Sequence, residues 1–492
     1  LLEIVFTRSN PKDMEVNAQH YDDIIIGGGK AGKTLAPALV ANGRKTALVE
    51  RSLNMIGGGC INIACIPTKT MVASANVANT VRNSAAYGVK ANTPIVNLAE
   101  VIQRKRSVVQ SAREMNLHNL ETALDNNLII GEARFVAPKT IAVTTTEGNN
   151  RLLTAERLFI NTGTRPSIPS IPGLTEVEFL TSESIMELEY LPEHLIVLGS
   201  GYIGLEFAQM FRRFGSGVTV IGQSEQILSQ QDPDIAIAVQ TLLEQDGIEF
   251  LLKAKVLRVV RVGVASGREA SPLENRTGNE TILQIQVGDR EITLQGSHLL
   301  VAVGRAPNID SLNLAAAGVA TDTRGFIQVS DRLETNIPGI WALGDINGGQ
   351  QYTHISLDDY RIIKANLIDR GNRSTRDRLV PSCLFIDPEL AHVGLTETEA
   401  QQQGYAIRVA KVDASAVPRA KTLGQTDGLL KAIVDADTGR ILGCSLLCHE
   451  AGEVISTVQM VMQAQMPYTI LRDGILTHPT MTEGLNILFS KL

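Results

Sequence analysis

Short apolar runs that end in glycine set the rhythm of this chain. Ile24-Ile25-Ile26 runs directly into Gly27-Gly28-Gly29-Lys30-Ala31-Gly32, and Ala47-Leu48-Val49 follows and ends at Glu50. The order reads as strand, glycine turn, helix, strand. Pro37 falls inside the expected helix, where it removes a hydrogen bond, so a kink or a short first helix is predicted. The same pattern returns as Leu195-Ile196-Val197-Leu198, then Gly199-Ser200-Gly201-Tyr202-Ile203-Gly204, then Val218-Thr219-Val220-Ile221. Ile160-Asn161-Thr162-Gly163-Thr164-Arg165-Pro166 ends a strand at a loop and reads as a domain border. The run His298 to Val303, closing on Gly304-Arg305, resembles it. Gly339-Ile340-Trp341-Ala342-Leu343-Gly344-Asp345 reads as a buried strand ending in an acid. The stretch 251 to 298 is strand-rich, and its polar, glycine-containing interruption near 263 to 280 reads as a hairpin or surface loop.

In a dinucleotide fingerprint the first glycine permits a tight turn, the second lets the backbone approach a pyrophosphate, and the third lets helix and strand pack closely. Helix N-terminal amides then hold the phosphate. Glu50, at the end of the second strand, is placed to accept hydrogen bonds from a ribose. Two copies of the pattern imply two dinucleotides. At the matching strand end the second copy has Gly222-Gln223-Ser224 in place of an acid, so a phosphorylated ribose is not repelled. The expectation tilts to NADPH over NADH, although no Arg stands in that turn to grip the extra phosphate.

Cys60-Ile61-Asn62-Ile63-Ala64-Cys65, followed by Ile66-Pro67-Thr68-Lys69, carries the candidate chemistry. Residues five apart on a regular α-helix sit about 140° apart around its axis, whereas a disulfide wants Cα atoms roughly 4.4 to 6.8 Å apart. A redox-active pair here therefore needs a distorted turn. Gly57, Gly58 and Gly59 supply backbone freedom before it, and Pro67 predicts a regular helix starting close behind Cys65 and running through Thr70, Met71 and Ala73. A thiol at such a helix start, near Lys69, has its reactive thiolate favoured.

Composition narrows the setting. A chain of 492 residues exceeds one core and predicts three or four domains. A net charge of −7 argues against nucleic acid, and no apolar run approaches the roughly 18 residues that span a membrane. Residues 1–19 read as a disordered leader, with Met14 as a candidate start of translation. Five cysteines make no disulfide scaffold, so one special pair in a reducing cytoplasm is expected. Cys444 and Cys448 lie in the apolar run from Ile441, read as a strand; roughly 13 Å apart at about 3.3 Å per residue, they are expected as buried packing, not a bridge. Cys383, in a strand from Val380 to Phe385, is expected in the core, and no metal site is assigned.

The two glycine motifs, the Cys60-to-Lys69 segment and the Gly344-Asp345 strand together resemble the class I pyridine nucleotide-disulfide oxidoreductases across nearly the whole chain. Gly29 to Ala36, Gln351 to Tyr360 and Ser445 to Cys448 look most like the bacterial reactive-chlorine-resistance flavoproteins, regarded as Cu(II)-reducing members; the wider group includes mercuric reductase and dihydrolipoamide dehydrogenase. The resemblance implies an α/β fold of two Rossmann-like, three-layer ββα domains binding FAD and NAD(P)H, with a C-terminal α+β dimerisation domain. The expected boundaries are 20–166 for the first part of the FAD-binding domain, 167–297 for the NAD(P)-binding domain, 298–370 for the second part of the FAD-binding domain, and 371–492 for dimerisation.

By that resemblance Cys65 faces the flavin as the charge-transfer thiolate, Cys60 is the interchange thiol, and Lys69 lies near the flavin and pairs with Glu206. Tyr202 covers the flavin until nicotinamide displaces it. His478, in Thr477-His478-Pro479-Thr480-Met481-Thr482-Glu483, takes the proton from Cys60 across a homodimer, and Glu483 orients it. Cofactor contacts are expected at Gly27, Gly29, Gly32, Glu50, Gly58, Lys69, Thr162, Gly163, Gly344 and Asp345, and at Gly199, Gly201, Tyr202, Gly204 and Gly304. Gly59 and Ala64 depart from the family's usual Thr and Gly, and the chain ends Phe489-Ser490-Lys491-Leu492 without the cysteine pair of the usual mercuric reductases. His354 is expected either near the isoalloxazine or at the surface. The implied activity is NAD(P)H-dependent reduction of a disulfide or a metal ion such as Cu(II). The alternatives are a dihydrolipoamide dehydrogenase and a flavin-binding redox sensor with little turnover.

Overall fold

The computed structural model describes residues 18–262 and 280–492. Residues 1–17 of the expected leader, Met14 among them, and 263–279 of the expected loop lie outside the described residues. Gln19 already begins the first strand. The chain forms two compact units: one contains the residues up to Thr68, Lys105–Arg165 and Arg305–Arg378; the other contains Lys69–Arg104, Pro166–Gly304 and Leu379–Leu492.

In the first unit, strand Gln19–Ile26 pairs in parallel with Thr46–Glu50 on one side and Asn150–Ile160 on the other, with Ile24 opposite Ala47 and Leu158. Strand Leu128–Ala137 bends between two partners. Its start pairs in parallel with Leu48–Glu50, and from Gly131 it runs antiparallel to Thr140–Thr145. A side chain at Gly131 would meet the Thr144 carbonyl oxygen at 2.6 Å, so the bend is built on glycine. The alternation of the first strand sorts it between two cores. Ile24 and Ile26 pack with Phe135, Ile141 and Val143 of the antiparallel layer, while Ile25 packs with Leu35 and Leu39 of helix Lys30–Ala41. A strand buried on both faces reads as the continuous apolar run seen in the sequence. The first helix is neither cut short nor ended at Pro37: it runs 12 residues to Ala41. Leu35, Ala36 and Leu39 are fully buried, and this packing outweighs the local cost of the proline.

The second unit repeats the three-layer plan. Strands His298–Val301, His194–Leu198, Gly217–Ile221 and Ile248–Leu251 lie in that order, all parallel. Leu195 and Val197 face Leu205 and Phe211 of helix Tyr202–Phe214, and Ile196 and Leu198 face Leu283 and Ile285 of a three-stranded antiparallel layer. The C-terminal part is a five-stranded antiparallel sheet in the order Ser382–Leu384, Glu389–Gly394, Ile441–Cys448, Leu429–Asp435, Ile407–Asp413, covered by helix Ala451–Gln463 and the closing helix Gly484–Phe489. The expected α/β class therefore holds, with an α+β C-terminal part. Among the described residues no helix is long and apolar enough to cross a membrane.

One buried charge cluster ties this sheet to the parallel one. Lys431, with a side chain only 2% exposed, meets Asp232 at 2.8 Å, Asp234 at 3.0 Å and Glu397 at 2.9 Å. Asp232 precedes helix Pro233–Gln245 and also accepts the amide of Glu397. Burial opposes the charge, but the hydrogen bonds that Lys431 donates to these carboxylates hold its ammonium above its usual range. Replacing Lys431 by Met should therefore leave Asp232 buried without its counterion and cost about 3–5 kcal/mol, read as a fall in the urea-unfolding free energy; a loss below about 1 kcal/mol would show that the cluster contributes little.

Candidate active site

The thiol segment folds as the spacing requires. Gly58 starts a four-residue helical turn, Gly59–Asn62, which breaks at Ile63; the long helix Cys65–Asn83 begins two residues later. The break lets residues that a continuous helix would set on different faces turn toward each other. Both cysteines are half-buried free thiols. Cys60 is hydrogen-bonded to Cys65, and the hydroxyl of Thr353 lies 3.4 Å from the Cys65 sulfur. The Cys60 thiol is pushed well above its usual range, first by its hydrogen bond to Cys65 and then by burial. The two sulfurs therefore titrate as one coupled pair, with ionisation of Cys60 disfavoured by its neighbour.

The turn is fixed from two sides. The Asn62 side-chain amide donates to the carbonyls of Ile56 and Gly58, each at 2.9 Å, and its oxygen accepts from Arg113 at 2.8 Å. Gly58 has φ +79°, and a β-carbon there would stand 2.6 Å from the Cα of Gly29. The thiol turn thus presses backbone to backbone on the first glycine loop. Gly59 is under no such constraint, since a β-carbon there would meet only Ile63 at 3.7 Å.

That loop satisfies the demands of a dinucleotide. A β-carbon at Gly27 would meet the Asn161 carbonyl oxygen at 2.3 Å, and one at Gly32 would meet the Gly27 carbonyl oxygen at 2.2 Å, so turn and helix approach as closely as glycine allows. The helix starts at Gly29 without a side-chain cap, as does the second fingerprint helix at Gly201, where a β-carbon would meet nothing within 4 Å. Uncapped helix N-termini beside glycine fit a pyrophosphate. Glu50 accepts the Gly28 amide at 2.8 Å and is raised in pKa by burial, which that amide opposes. Asn161, quoted in the sequence only as part of a border, joins the parts: its oxygen accepts the Gly32 amide at 3.0 Å and its nitrogen donates to the Leu343 carbonyl at 2.6 Å. Ser356 accepts the Ala31 amide.

The acid expected at a strand end sits differently. The strand is only Ile340–Ala342, and Asp345 lies in the following 3-10 turn Gly344–Asn347, where it accepts from Thr164 at 3.2 Å and burial raises its pKa. Thr162 and Gly163 are bonded to Asn308. Lys33 emerges as an unforeseen member of this unit. It donates to Asn116, interacts electrostatically with Cys60, and is brought down to about 8 by burial and by Lys30. His354 is the second residue of helix Thr353–Leu367, its ring stacked on Tyr352 at 5.1 Å.

The second unit brings its own predicted residues together. Lys69, one turn into the helix that starts at Cys65, donates to both oxygens of Glu206 at 3.0 and 2.7 Å. Phe385 serves both partners: its amide donates to Glu206 at 3.0 Å and its ring lies 4.7 Å beneath the Lys69 ammonium. Tyr202 opens the second fingerprint helix, its hydroxyl 3.4 Å from Ser382. At Gly222 a β-carbon would stand 2.7 Å from the Ser200 hydroxyl and 2.9 Å from a Leu252 methyl, so a side chain there would have to turn both tips aside. His478 places Nδ1 2.7 Å from Glu483; the imidazole is largely exposed and the carboxylate buried. Cys444 and Cys448 are buried on one strand, and Cys383 packs half-buried beside the same core. Among the described residues His20, Asp22 and Glu156 bring possible metal-ligand atoms within 4.8 Å of one another at the surface, and Glu156 is paired with Arg44 at 3.2 Å.

Changing Gly58 to Ala forces a β-carbon into left-handed backbone against Gly29. The cost of left-handed backbone alone is roughly 1–2 kcal/mol. The variant should emerge with little bound flavin, read as the ratio of absorbance at the flavin band to protein absorbance, whereas Gly59→Ala should keep the wild-type ratio.

Comparison with known proteins places this geometry. Residues 21–359 match the model of the pyridine nucleotide-disulphide oxidoreductases, and residues 380–488 match the dimerisation domain of the same group. The chain is 43% identical over 472 residues to the probable pyridine nucleotide-disulfide oxidoreductase RclA of Escherichia coli, covering 96% of this chain and 99% of that protein. It is 33% identical to a mercuric reductase of Staphylococcus aureus (95% and 81% covered) and 31% identical to the dihydrolipoyl dehydrogenase of Bacillus subtilis (95% and 97%). A solved Cu(II) complex of the HOCl-induced flavoprotein disulfide reductase RclA from Escherichia coli superposes with a TM-score of 0.85 at 41% identity, covering 96% of this chain and 99% of that one. With both glycine loops intact and a thiol pair beside the first, the chain belongs to the pyridine nucleotide-disulphide oxidoreductases, FAD-dependent enzymes that use a pyridine nucleotide.

Proposed function

We propose that this protein is a cytoplasmic homodimer that spends NAD(P)H to reduce an external disulfide or a metal ion, Cu(II) being the favoured acceptor, through the Cys60–Cys65 pair. The observation that carries this reading is the hydrogen-bonded pair of thiols seated against the first glycine loop. The Escherichia coli relative solved with Cu(II) supports the choice of acceptor.

Residues 20–166 and 298–370 are assigned to FAD, 167–297 to NAD(P)H and 371–492 to dimerisation. FAD would be held by Gly27, Gly29, Gly32, Glu50, Gly58, Thr162, Gly163, Gly344 and Asp345, with Lys69 beside it; NAD(P)H by Gly199, Gly201, Tyr202, Gly204 and Gly304. Bound FAD supplies the two-electron relay between the pyridine nucleotide and sulfur. The absence of an acid at Gly222 favours NADPH.

Cys65, which accepts the hydrogen bond from Cys60, takes the inner position, and Cys60 meets the acceptor. Two electrons break the Cys60–Cys65 bridge. Handing them to a disulfide gives two thiols and restores the bridge; handing them to copper converts two Cu(II) to two Cu(I). Glu206 and Phe385 hold the Lys69 ammonium, and Tyr202 guards the nicotinamide approach. Glu483 accepts the Nδ1 proton of His478 and leaves Nε2 as the base, which takes the proton from Cys60 of the partner subunit.

Anaerobic titration with NADPH should develop a thiolate-to-flavin charge-transfer band, and Cys65→Ser should abolish it; a band that survives would overturn the assignment of Cys65. In steady state with NADPH, Cu(II) should outpace glutathione disulfide, lipoamide and Hg(II). Preferential turnover of lipoamide would favour a dihydrolipoamide dehydrogenase, and negligible turnover with every acceptor would favour a redox sensor.

A further inference from the structure

Lys33 is a charged side chain in an unusual place: it lies in the first fingerprint helix, is partly buried, and donates to the side-chain oxygen of Asn116. Its own amide closes the first helical turn on the Gly29 carbonyl at 2.9 Å, and Gly29 is the residue whose Cα packs against Gly58. Cys60 lies two residues beyond Gly58, so the glycine contact delivers Lys33 to the thiol turn. One helix face secures both sides of that meeting: Asn116 accepts from Lys33, and Arg113, one turn earlier, donates to Asn62 at 2.8 Å. Asn116 is itself tethered by a bond to the Ala112 carbonyl.

We infer that Lys33, held by Asn116, is a positioning residue whose ammonium stabilises the thiolate of Cys60 once the bridge to Cys65 is opened. The inference rests on the proposed role of the thiol pair. Opening the bridge puts two electrons on two sulfurs that are close together, and two negative sulfurs repel. Cys65 opens the long helix; Cys60, second residue of the short turn Gly59–Asn62, has the charge of Lys33 acting on it. Among the described residues Cys60 feels Cys65, the hydroxyl of Thr353 and the charge of Lys33, and Lys33 in turn feels Lys30 on its own helix. Lys33 is thus the cation set against the thiol that must attack an acceptor. Burial brings its titration to about 8, so its help fades as pH rises past that value.

The test uses FAD-loaded protein reduced anaerobically with NADPH, pulsed with iodoacetamide, and read by mass spectrometry for the modification of Cys60. Alkylation joins thiolate sulfur to carbon and releases iodide, so its rate follows the thiolate fraction. At pH 7 Lys33→Met should slow modification of Cys60 about tenfold, the effect of raising a thiol by roughly one pKa unit, while Lys33→Arg should remain within about threefold of wild type. Asn116→Leu, which frees Lys33 without deleting it, should slow it by a smaller factor. Equal rates in wild type and Lys33→Met would overturn the inference. So would loss of flavin from Lys33→Met with unchanged Cys60 reactivity in the loaded fraction, which would make Lys33 a cofactor ligand. Failure of the underlying thiol-pair reading looks different, because wild-type Cys60 would then react equally fast before and after reduction.

Discussion

Two backbones meeting without side chains, Gly29 against Gly58, is the constraint on which the first unit depends. Gly29 begins the helix of the dinucleotide fingerprint and Gly58 begins the turn of the thiol pair, so one contact sets the spacing of cofactor loop and sulfur. A larger residue at Gly58 would run into Gly29, and one at Gly29 would run into the Asn161 side chain that ties the loop. The partners that cement this contact are hydrogen bonds from ordinary polar residues: Asn161 and Ser356 on the loop, Asn62 and Arg113 on the turn. The bonds of Asn161 and Ser356 are buried and so costly to lose, because the partner left behind would find no water.

Charge in the second unit is arranged by the same rule that buried ions come in company. Glu206 has an ammonium, an amide and, through that ammonium, an aromatic face around it. Lys431 answers three carboxylates at once. The two clusters differ in what surrounds them. The Lys69 side chain remains one-third exposed, whereas that of Lys431 is sealed and serves the joint between two sheets.

What the sequence made legible was whatever chemistry is written locally. The glycine turns, the thiol spacing and the His478–Glu483 pair each sit inside a short pattern, whereas the Lys69–Glu206 pair, 137 residues apart, was available only from resemblance to known relatives. Lys33 and Asn116, Gly29 and Gly58, and Lys431 and Asp232 join residues far apart in the chain, and nothing in the local pattern of either partner announces the other. Asn161 was nearer to view: a polar residue directly after an apolar strand, opposite a glycine turn, is a candidate tie for the loop. Pro37 does not shorten its helix, since a helix packed along Leu35, Ala36 and Leu39 continues through a residue that would stop it in isolation.

Gly222 carries a last consequence. The atoms nearest to a β-carbon there belong to two side chains, the Ser200 hydroxyl and a Leu252 methyl, and not to backbone. An acid written into this one position therefore asks two side-chain tips to turn aside and leaves the course of the chain alone, so that the residues at 200 and 252 decide how readily this strand end changes character.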